Sequence, residues 1–314
     1  MTDVRVDAPA AGARKEMAEL PGPVRYLGRG AVRAVGMATA PFRPRPDFLI
    51  IGAKRGGTTS LFHHLLAHPQ VLGLFPSARR LPMRAERKGV HQFDARPGEA
   101  AWWYRSNFPS APARALVERR TGGPVLTGEA TPYYLFHPHA AERARAIVPG
   151  ARIIVLLRNP VDRAYSHYNE QRRRGHEQLP TFEAAVDAEP RRLDGEHERL
   201  VGDPTATSFA HEHQSYVTQG RYLDALEPWL RAFPAAQVLV VRSEDLYTAT
   251  QPTYDHVLDF LGLPRHVLPD PGPLNGTSSP PLPVGLRDRL AAELAPHTDA
   301  LEARLGRSFG WDDR

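Results

Sequence analysis

A glycine-rich turn, set between an apolar run and an apolar stretch of helical period, is the first feature that could do chemistry: DFLIIGAKRGGTTSLFHHLL, residues 47–66. Backbone N–H groups of such a turn bind phosphate when the N-terminus of the next helix points at the same place. The glycine spacing is that of a Walker A loop, but Thr58 stands where that loop needs its lysine, and Thr59 keeps the hydroxyl. The basic residues lie upstream, as Lys54 and Arg55. Because no strand-like segment ends in an aspartate for Mg²⁺, the turn is predicted to bind a phosphate-like group without a metal.

A second motif, LLRNPVDRAYSHY at residues 156–168, joins a strongly apolar strand to a helix. Arg158 stands at the end of the strand, where open α/β sheets bind their ligands. Ser166 follows about two turns into the helix. With the glycine-rich turn, this motif predicts two anion sites on neighbouring strands.

The elements that must position these residues alternate between strands and helices. The predicted strands cover residues 48–52, 124–129, 151–158 and 236–242, and the predicted helices cover 58–68, 138–148, 160–174, 216–232, 251–262 and a region from 284. The continuous apolar character of the third strand is typical of a parallel strand covered on both faces. The alternation predicts an α/β fold with a central parallel sheet flanked by helices.

Residues 1–46 differ from the rest in composition, because they are rich in Arg, Ala, Gly and Pro. So many helix breakers favour a basic, linker-like N-terminal arm over an amphipathic helix on a membrane surface, although a peripheral membrane contact by the arm stays open. Residues 47–314 are predicted to form a single α/β domain.

The overall composition narrows the class of protein and partner. The 314 residues carry a net charge of +5, which favours an anionic partner. Only three of the 40 basic residues are lysine, and two of these, Lys54 and Lys88, fall in candidate sites. The absence of cysteine excludes disulfides, thiolate metal ligands and a cysteine nucleophile. With no apolar segment of membrane-spanning length and no signal-peptide pattern, a cytoplasmic location is expected.

Together the two motifs resemble the sulfotransferases that use 3′-phosphoadenosine 5′-phosphosulfate (PAPS). The resemblance rests on IIGAKRGGTTSL and RNPVDRAYSHY, and it is extended in the same order by KGVHQFD, GEATPYYLF, QGRYLDALEPWLRAFP and VLVVRSEDL. It covers roughly residues 47–311 and is closest in style to the bacterial members and to the domains that modify heparan-type glycans. The family implies a sulfotransferase fold similar to that of the P-loop nucleotide hydrolases.

The resemblance also implies roles for individual residues. The 5′-phosphosulfate would bind backbone N–H groups of the turn, and the 3′-phosphate would bind Arg158 and Ser166. The turn residues concerned are Gly56, Gly57, Thr58, Thr59 and Ser60. A sulfuryl group would pass in line, without a metal, to a hydroxyl or amine of a glycan, glycolipid or secondary metabolite, leaving 3′-phosphoadenosine 5′-phosphate (PAP).

Two positions depart from the family pattern. The family's catalytic lysine directly precedes GGT or SGT, and Arg55 occupies that position here, with Lys54 one residue earlier. Because arginine stabilises charge but does not readily give up a proton, we expect Lys54 and Arg55 to share the role, one facing the leaving phosphate and the other the sulfonate. Glycan-modifying members often carry a glutamate shortly before HFF, where this chain has Gly89.

The general base must therefore come from another residue. His91 ranks first, because its ordinary pKa suits proton abstraction at neutral pH, with simple packing under the loop as the alternative. Glu129 follows a strand, where a carboxylate could be a base or a structural anchor. Asp94 ranks after His91 and Glu129 as a candidate. Lys88 could bind the sulfonate, bind the acceptor or lie in solvent.

Two other functions compete with this interpretation. One is an ATP-dependent small-molecule kinase with a degenerate loop, which Thr58 argues against. The other is a basic nucleic-acid- or membrane-binding protein, but no platform of aromatic and basic residues supports a nucleic-acid partner. Two three-residue segments, 137–139 and 211–213, each carry a histidine at both ends and are called the histidine triplets. Their histidines are interpreted as surface residues rather than metal ligands. Segments 102–108 and 175–214 are expected to line or cover the acceptor site.

Overall fold

The computed structural model describes residues 31–76, 87–96, 98–269 and 281–311. Five parallel strands form one sheet in the order β2-β3-β1-β4-β5. The strands are β1 (Phe48–Gly52), β2 (Val71–Leu72), β3 (Leu126–Ala130), β4 (Arg152–Leu157) and β5 (Val238–Arg242). The predicted α/β fold with a central parallel sheet is confirmed.

Helices flank the sheet. In the described residues the α-helices are α1 (Thr58–Ala67), α2 (Ala101–Arg105), α3 (Ala111–Thr121), α4 (Ala140–Ile147), α5 (Pro160–Arg174), α6 (Phe182–Leu193), α7 (Glu196–Gly202), α8 (Tyr222–Ala232), α9 (Asp245–Thr248), α10 (Thr250–Leu261) and α11 (Val284–Leu305). Residues 31–38 are also helical. Short 3₁₀-helices lie at Ala40–Phe42, Thr218–Gly220 and Ala235–Gln237, and a π-helix spans Ala210–Gln214.

The strand sequences explain why the sheet is buried on both faces. Successive side chains of β1 and β4 alternate between two apolar cores. Leu49 and Ile153 belong to one core, whereas Ile50 and Ile154 belong to the other. A strand with both faces in apolar cores needs the uninterrupted apolar run that the sequence shows there.

The two motifs lie side by side because β1 and β4 are neighbours in the sheet. Helix α5 has the predicted bounds, since the Asn159 side chain caps it by accepting from the backbone N–H groups of Val161 (3.0 Å) and Asp162 (3.2 Å). The turn after β1 and the start of α5 therefore meet at the carboxyl edge of the sheet, where open α/β sheets bind ligands.

Some elements differ from the sequence-based prediction. The pattern does not predict β2, which has two residues, or α3, which has no buried residue and hence no apolar period. The helix predicted from residue 216 begins at Tyr222 instead. The reason is that the backbone N–H groups of residues 216–218 bind the buried carboxylate of Glu189, at 2.7–2.8 Å, and not helical carbonyls.

The described end of the N-terminal arm packs against the domain. Ala40 is fully buried, and the Arg43 guanidinium donates a hydrogen bond to the carbonyl oxygen of Phe108. Residues 1–30 lie outside the described part of the chain, so the division at residue 46 stays a prediction. Among the described helices, none has the length and apolar character that crossing a bilayer requires.

Candidate active site

The turn after β1 is packed so tightly that it requires glycine. The backbone N–H of Ala53 donates to the carbonyl oxygen of Leu156 in β4 at 2.7 Å. A Cβ at Gly56 would lie 2.6 Å from that same oxygen, and Gly57 has a φ of +88° at the N-cap of α1. The turn is thereby fixed against β4, with the first N–H groups of α1 left without helical partners and available to an anion.

A cavity of about 970 Å³ opens beside this turn. The sequence-predicted site residues that line it are Lys54, Arg55, Gly57, Thr58, Thr59, Ser60, His91, Arg158 and Ser166. Gly56 and Glu129 do not line it. Seven Lys or Arg side chains and four Asp or Glu side chains surround the cavity, so its charge balance is positive. The structure thus brings both motifs to one cavity.

Arg55 extends toward α5. Its Nε donates to Ser166 Oγ at 3.0 Å, and its Nη1 pairs with Glu170 Oε2 at 3.1 Å. The Arg55 backbone has a φ of +68°, and its carbonyl oxygen lies 3.5 Å from Nη1 of Arg158. Arg55 therefore joins Arg158 and Ser166, the residues that the sequence assigns to the 3′-phosphate.

Lys54 contacts a different wall of the cavity. Its Nζ donates to the carbonyl oxygen of Glu212 at 2.6 Å, lies 3.3 Å from Glu212 Oε1, and stands 4.4 Å from the centre of the Tyr133 ring. Burial lowers the pKa of Lys54 to about 8, against the opposing attraction of Glu212. The neighbours Lys54 and Arg55 are thus directed to separate walls of the cavity, and the role that they are expected to share stays a prediction.

Lys88 is the cation that contacts the start of α1. Its Nζ donates to Thr59 Oγ1 at 2.5 Å, and its side chain lines the cavity. Burial lowers the pKa of Lys88 to about 8. The sequence left three alternatives open for Lys88: binding the sulfonate, binding the acceptor or lying in solvent. The structure excludes the last of these.

His91 forms a pair with Asp94. Nδ1 of His91 donates to Asp94 Oδ2 at 2.8 Å, and Asp94 is buried whereas the imidazole is half exposed at the cavity. Burial acts to lower the pKa of His91, but the hydrogen bond and charge of Asp94 outweigh it and raise the pKa overall. A Cβ at Gly89 would lie 3.5 Å from Nε2 of His91, so the ring stands where a side chain at position 89 would begin.

Glu129 is an anchor. Its carboxylate is fully buried and accepts hydrogen bonds from the hydroxyls of Tyr104 (2.7 Å), Tyr134 (3.0 Å) and Thr131 (2.7 Å) and from the backbone N–H of Val90 (2.6 Å). Burial raises the pKa of Glu129 despite these donors. Because four donors occupy the carboxylate and no part of it faces the cavity, the geometry does not support Glu129 as a general base.

The histidine triplets are not surface features. His137 and His211 are buried, and Nδ1 of His211 lies 2.8 Å from the Tyr133 hydroxyl. Burial lowers the pKa of His137 to about 4 and that of His211 to about 3, so both are neutral. The surface interpretation is wrong for these two residues. No group of three His, Asp or Glu residues in the described part of the chain is arranged to hold a metal ion.

Of the two segments expected to line or cover the acceptor site, only one reaches the cavity. In segment 102–108, Trp103, Tyr104 and Phe108 are core residues, and no residue of the segment lines the cavity. Segment 175–214 contributes Glu212 and His213 to the lining. Trp102 is exposed, whereas Tyr104 is buried beside β3 and donates a hydrogen bond to Glu129.

Sequence reasoning missed three residues of the site: Tyr133, Glu170 and Glu212. Tyr133 lies inside GEATPYYLF, a segment that the resemblance includes, so its position was available as a signal. The two carboxylates carry no local signal, since their roles depend on ion pairs with residues more than 100 positions away in the sequence.

Comparison with known proteins agrees with this arrangement. Residues 45–271 match the family model described as the sulfotransferase domain. The chain is 30% identical over 308 residues to heparan sulfate glucosamine 3-O-sulfotransferase 6 of Mus musculus, covering 90% of this chain and 79% of that protein. It is 30% identical over 224 residues to the bifunctional heparan sulfate N-deacetylase/N-sulfotransferase 3 of Homo sapiens, covering 70% of this chain and 23% of that one. A solved sulfotransferase from Alicyclobacillus acidocaldarius is similar with a TM-score of 0.59 and 27% identity, covering 86% of this chain and 99% of that one.

Proposed function

This chain belongs to the sulfotransferase family, as a transferase of the heparan-sulfate-sulfotransferase type, and we propose that its sulfuryl donor is PAPS and its acceptor a hydroxyl or amine of a carbohydrate or other small molecule. One observation carries the donor assignment: two anion-binding groups, from β1–α1 and from β4–α5, line one cavity. PAPS has two anionic ends, a 3′-phosphate and a 5′-phosphosulfate, which match these two groups.

Each end of the donor has its own set of residues. The 5′-phosphosulfate binds the N–H groups at the start of α1, aided by the helix dipole. The 3′-phosphate binds Arg158, Ser166 and Arg55, and Arg55 contacts each of the other two. An ATP-dependent kinase is the weaker alternative, because ATP has no 3′-phosphate for these residues and Thr58 takes the place of the lysine that holds its β- and γ-phosphates.

His91 is the proposed general base. Since Nδ1 of His91 is held by Asp94, Nε2 is the nitrogen that accepts a proton from the acceptor. The acceptor oxygen or nitrogen forms a bond to sulfur as the bond from sulfur to the bridging oxygen breaks. The electron pair of the broken bond stays on the 5′-phosphate of PAP, and the start of α1 stabilises that charge.

The acceptor class is inferred from the relatives. Their names give heparan sulfate, and in one case its glucosamine, as what they modify, with transfer to oxygen in one relative and to nitrogen in another. A carbohydrate is therefore the first acceptor to test, ahead of a glycolipid or a secondary metabolite.

The test is calorimetric titration of the purified protein with PAP, with ATP–Mg²⁺ as the comparison. We expect PAP to bind the unsubstituted protein without added metal and Arg158→Ala to weaken it by at least about tenfold, the value of one charge-assisted contact. Arg231→Ala serves as the matched control, because this arginine is 71% exposed on α8 and does not line the cavity. Binding of ATP–Mg²⁺ without binding of PAP would replace the sulfotransferase donor by the kinase alternative.

A further inference from the structure

Lys88 approaches the start of α1 from a distant part of the sequence. Its Nζ lies 2.5 Å from the hydroxyl of Thr59, the second residue of α1, and 29 positions separate the two residues. The ammonium group therefore stands beside the helix N-terminus that the proposed function gives to the phosphosulfate. A helix N-terminus and a side-chain cation at one point form a stronger anion site than either alone.

The backbone that carries Lys88 is fixed to β3. The carbonyl oxygen of Lys88 accepts from the backbone N–H of Ala130 at 2.6 Å, and the backbone N–H of Val90 donates to Glu129 at 2.6 Å. Because Glu129 is fully buried and held by three hydroxyls, it cannot shift without breaking several hydrogen bonds. The position of the Lys88 stem is therefore set by the core rather than by a mobile surface loop.

Lys88 differs from the two neighbouring cations in its charge balance. Lys54 pairs with Glu212 at 3.3 Å and Arg55 with Glu170 at 3.1 Å. Within the described residues no carboxylate lies within 4 Å of the Lys88 ammonium, whose partner is a neutral hydroxyl. Glu170 attracts the Lys88 ammonium from beyond 4 Å, but this carboxylate is itself paired with Arg55 and Arg174. A largely desolvated cation without a directly paired carboxylate gains more from an incoming anion than a cation that is already paired.

The segment 88–91 also reaches both reacting groups, the phosphosulfate and the acceptor. Lys88 contacts Thr59 at the phosphate end, and His91, the proposed base at the acceptor end, follows three residues later on the same segment. During transfer the sulfur atom lies between the leaving phosphate and the acceptor. The contact with Thr59 places the Lys88 ammonium at the end of the cavity that the proposed function gives to the phosphosulfate, whereas the 3′-phosphate is assigned to Arg158 and Ser166.

We propose that Lys88 is a catalytic residue that binds a non-bridging sulfonate oxygen and stabilises the charge on the sulfuryl group as it passes to the acceptor. This assignment rests on the proposed PAPS donor. The bond from sulfur to the bridging oxygen breaks with its electron pair left on PAP, the bond from sulfur to the acceptor forms, and the acceptor proton goes to His91. Lys88 stays protonated throughout and contributes charge alone.

The test compares Lys88→Met with the unsubstituted protein. The three quantities measured are the affinity for PAP, the affinity for PAPS, and the rate of sulfate release from PAPS with water as the acceptor. The last measurement does not require the natural acceptor to be known. Methionine keeps the buried stem and deletes the ammonium. We expect unchanged PAP affinity, PAPS affinity about tenfold weaker, and sulfate release about 100-fold slower, the size of effect seen when one transition-state donor is removed. Lys88→Arg keeps the charge and is expected to recover part of the rate, which a merely structural lysine would not require.

The outcomes separate this inference from the proposed function. If the unsubstituted protein binds no PAP, the donor assignment itself is wrong. If PAP binds but Lys88→Met releases sulfate at the normal rate, Lys88 is not catalytic. If Lys88→Met weakens PAP and PAPS equally, the lysine contacts the 5′-phosphate and the sulfonate assignment is overturned. Should Lys88→Met fail to fold, Lys88→Gln, which retains a polar head, gives the same comparison.

Discussion

Replacing Lys54 with methionine is expected to stabilise the protein at neutral pH, by an amount that shrinks as the pH rises. The Lys54 side chain is only 15% exposed, and burial lowers its pKa from 10.5 to about 8, against the attraction of Glu212. A depression of this size means that keeping the side chain charged costs about 3 kcal/mol relative to its neutral form. Methionine fills a similar volume without the charge, and Glu212, 31% exposed, can be hydrated when its partner is lost.

The direction of the pH dependence follows from proton binding. Between pH 8 and the ordinary pKa of 10.5, the unfolded lysine stays protonated while the folded one does not, so the unfolded state binds more protons. The free energy of unfolding of the unsubstituted protein therefore rises with pH, by about 2.5 kcal/mol from pH 7 to pH 10 through Lys54 alone. Lys88, whose pKa burial also lowers to about 8, titrates in both proteins and cancels from the difference.

Urea denaturation at pH 7, 8, 9 and 10 measures this difference. Arg55→Met is the matched control, because it removes a neighbouring cation of a residue type that does not lose its proton in proteins. We expect the difference between Lys54→Met and the unsubstituted protein to fall by about 2.5 kcal/mol between pH 7 and pH 10, and the Arg55→Met difference to stay constant. Two parallel stability curves for Lys54→Met and the unsubstituted protein would refute the claim that Lys54 is a buried, destabilised cation.

Three further substitutions test the base and the residues around it. His91→Ala should slow sulfuryl transfer about 100-fold or more. Asp94→Asn should move the acid limb of the pH–rate profile to lower pH, because Asp94 raises the pKa of His91. An acid limb that does not move would show that the rate does not depend on the protonation of His91. Glu129→Gln should lower the free energy of unfolding by about 2–3 kcal/mol, measured in urea, because the amide N–H₂ cannot accept a hydrogen bond. It would face either the two tyrosine hydroxyls or the backbone N–H of Val90, and buried donors would be left unpaired. Lost transfer with undiminished stability would instead make Glu129 the base.

The features that the sequence predicts well are those encoded locally. The bounds of α5 follow from Asn159 and Pro160, which cap and start the helix through contacts within three residues. The apolar runs of β1 and β4 predict buried parallel strands, since both faces of such strands lie in apolar cores. Once two neighbouring strands each end in an anion-binding motif, the topology brings the motifs together without further information.

The features that sequence reasoning gets wrong depend on contacts between distant segments. Glu129 lies one residue before the end of β3, close to where a base could stand, but it is buried under Tyr104 and Tyr134. The sequence does not show that Tyr104 packs there. His211 is likewise buried by its contact with Tyr133, 78 positions away. The direction of Arg55 depends on Glu170 and Ser166 in α5. In each case the residue that determines the environment of the side chain is too far away in the sequence for a local pattern to indicate the contact.

The distribution of counter-charges around the cavity gives a physical reason for donor selectivity. Lys54 and Arg55 each pair with a carboxylate, whereas no carboxylate in the described residues pairs with Arg158 or Lys88. Arg173 also lines the cavity with no carboxylate of the described residues within 4 Å, but it is exposed to solvent. Arg158 and Lys88 are the partly buried cations that gain most from an anion, and the first is proposed for the 3′-phosphate and the second for the sulfonate. A nucleotide that lacks either group would leave one of these two cations without a counter-charge. We therefore expect a donor that carries both groups to bind more tightly than one that carries only one of them.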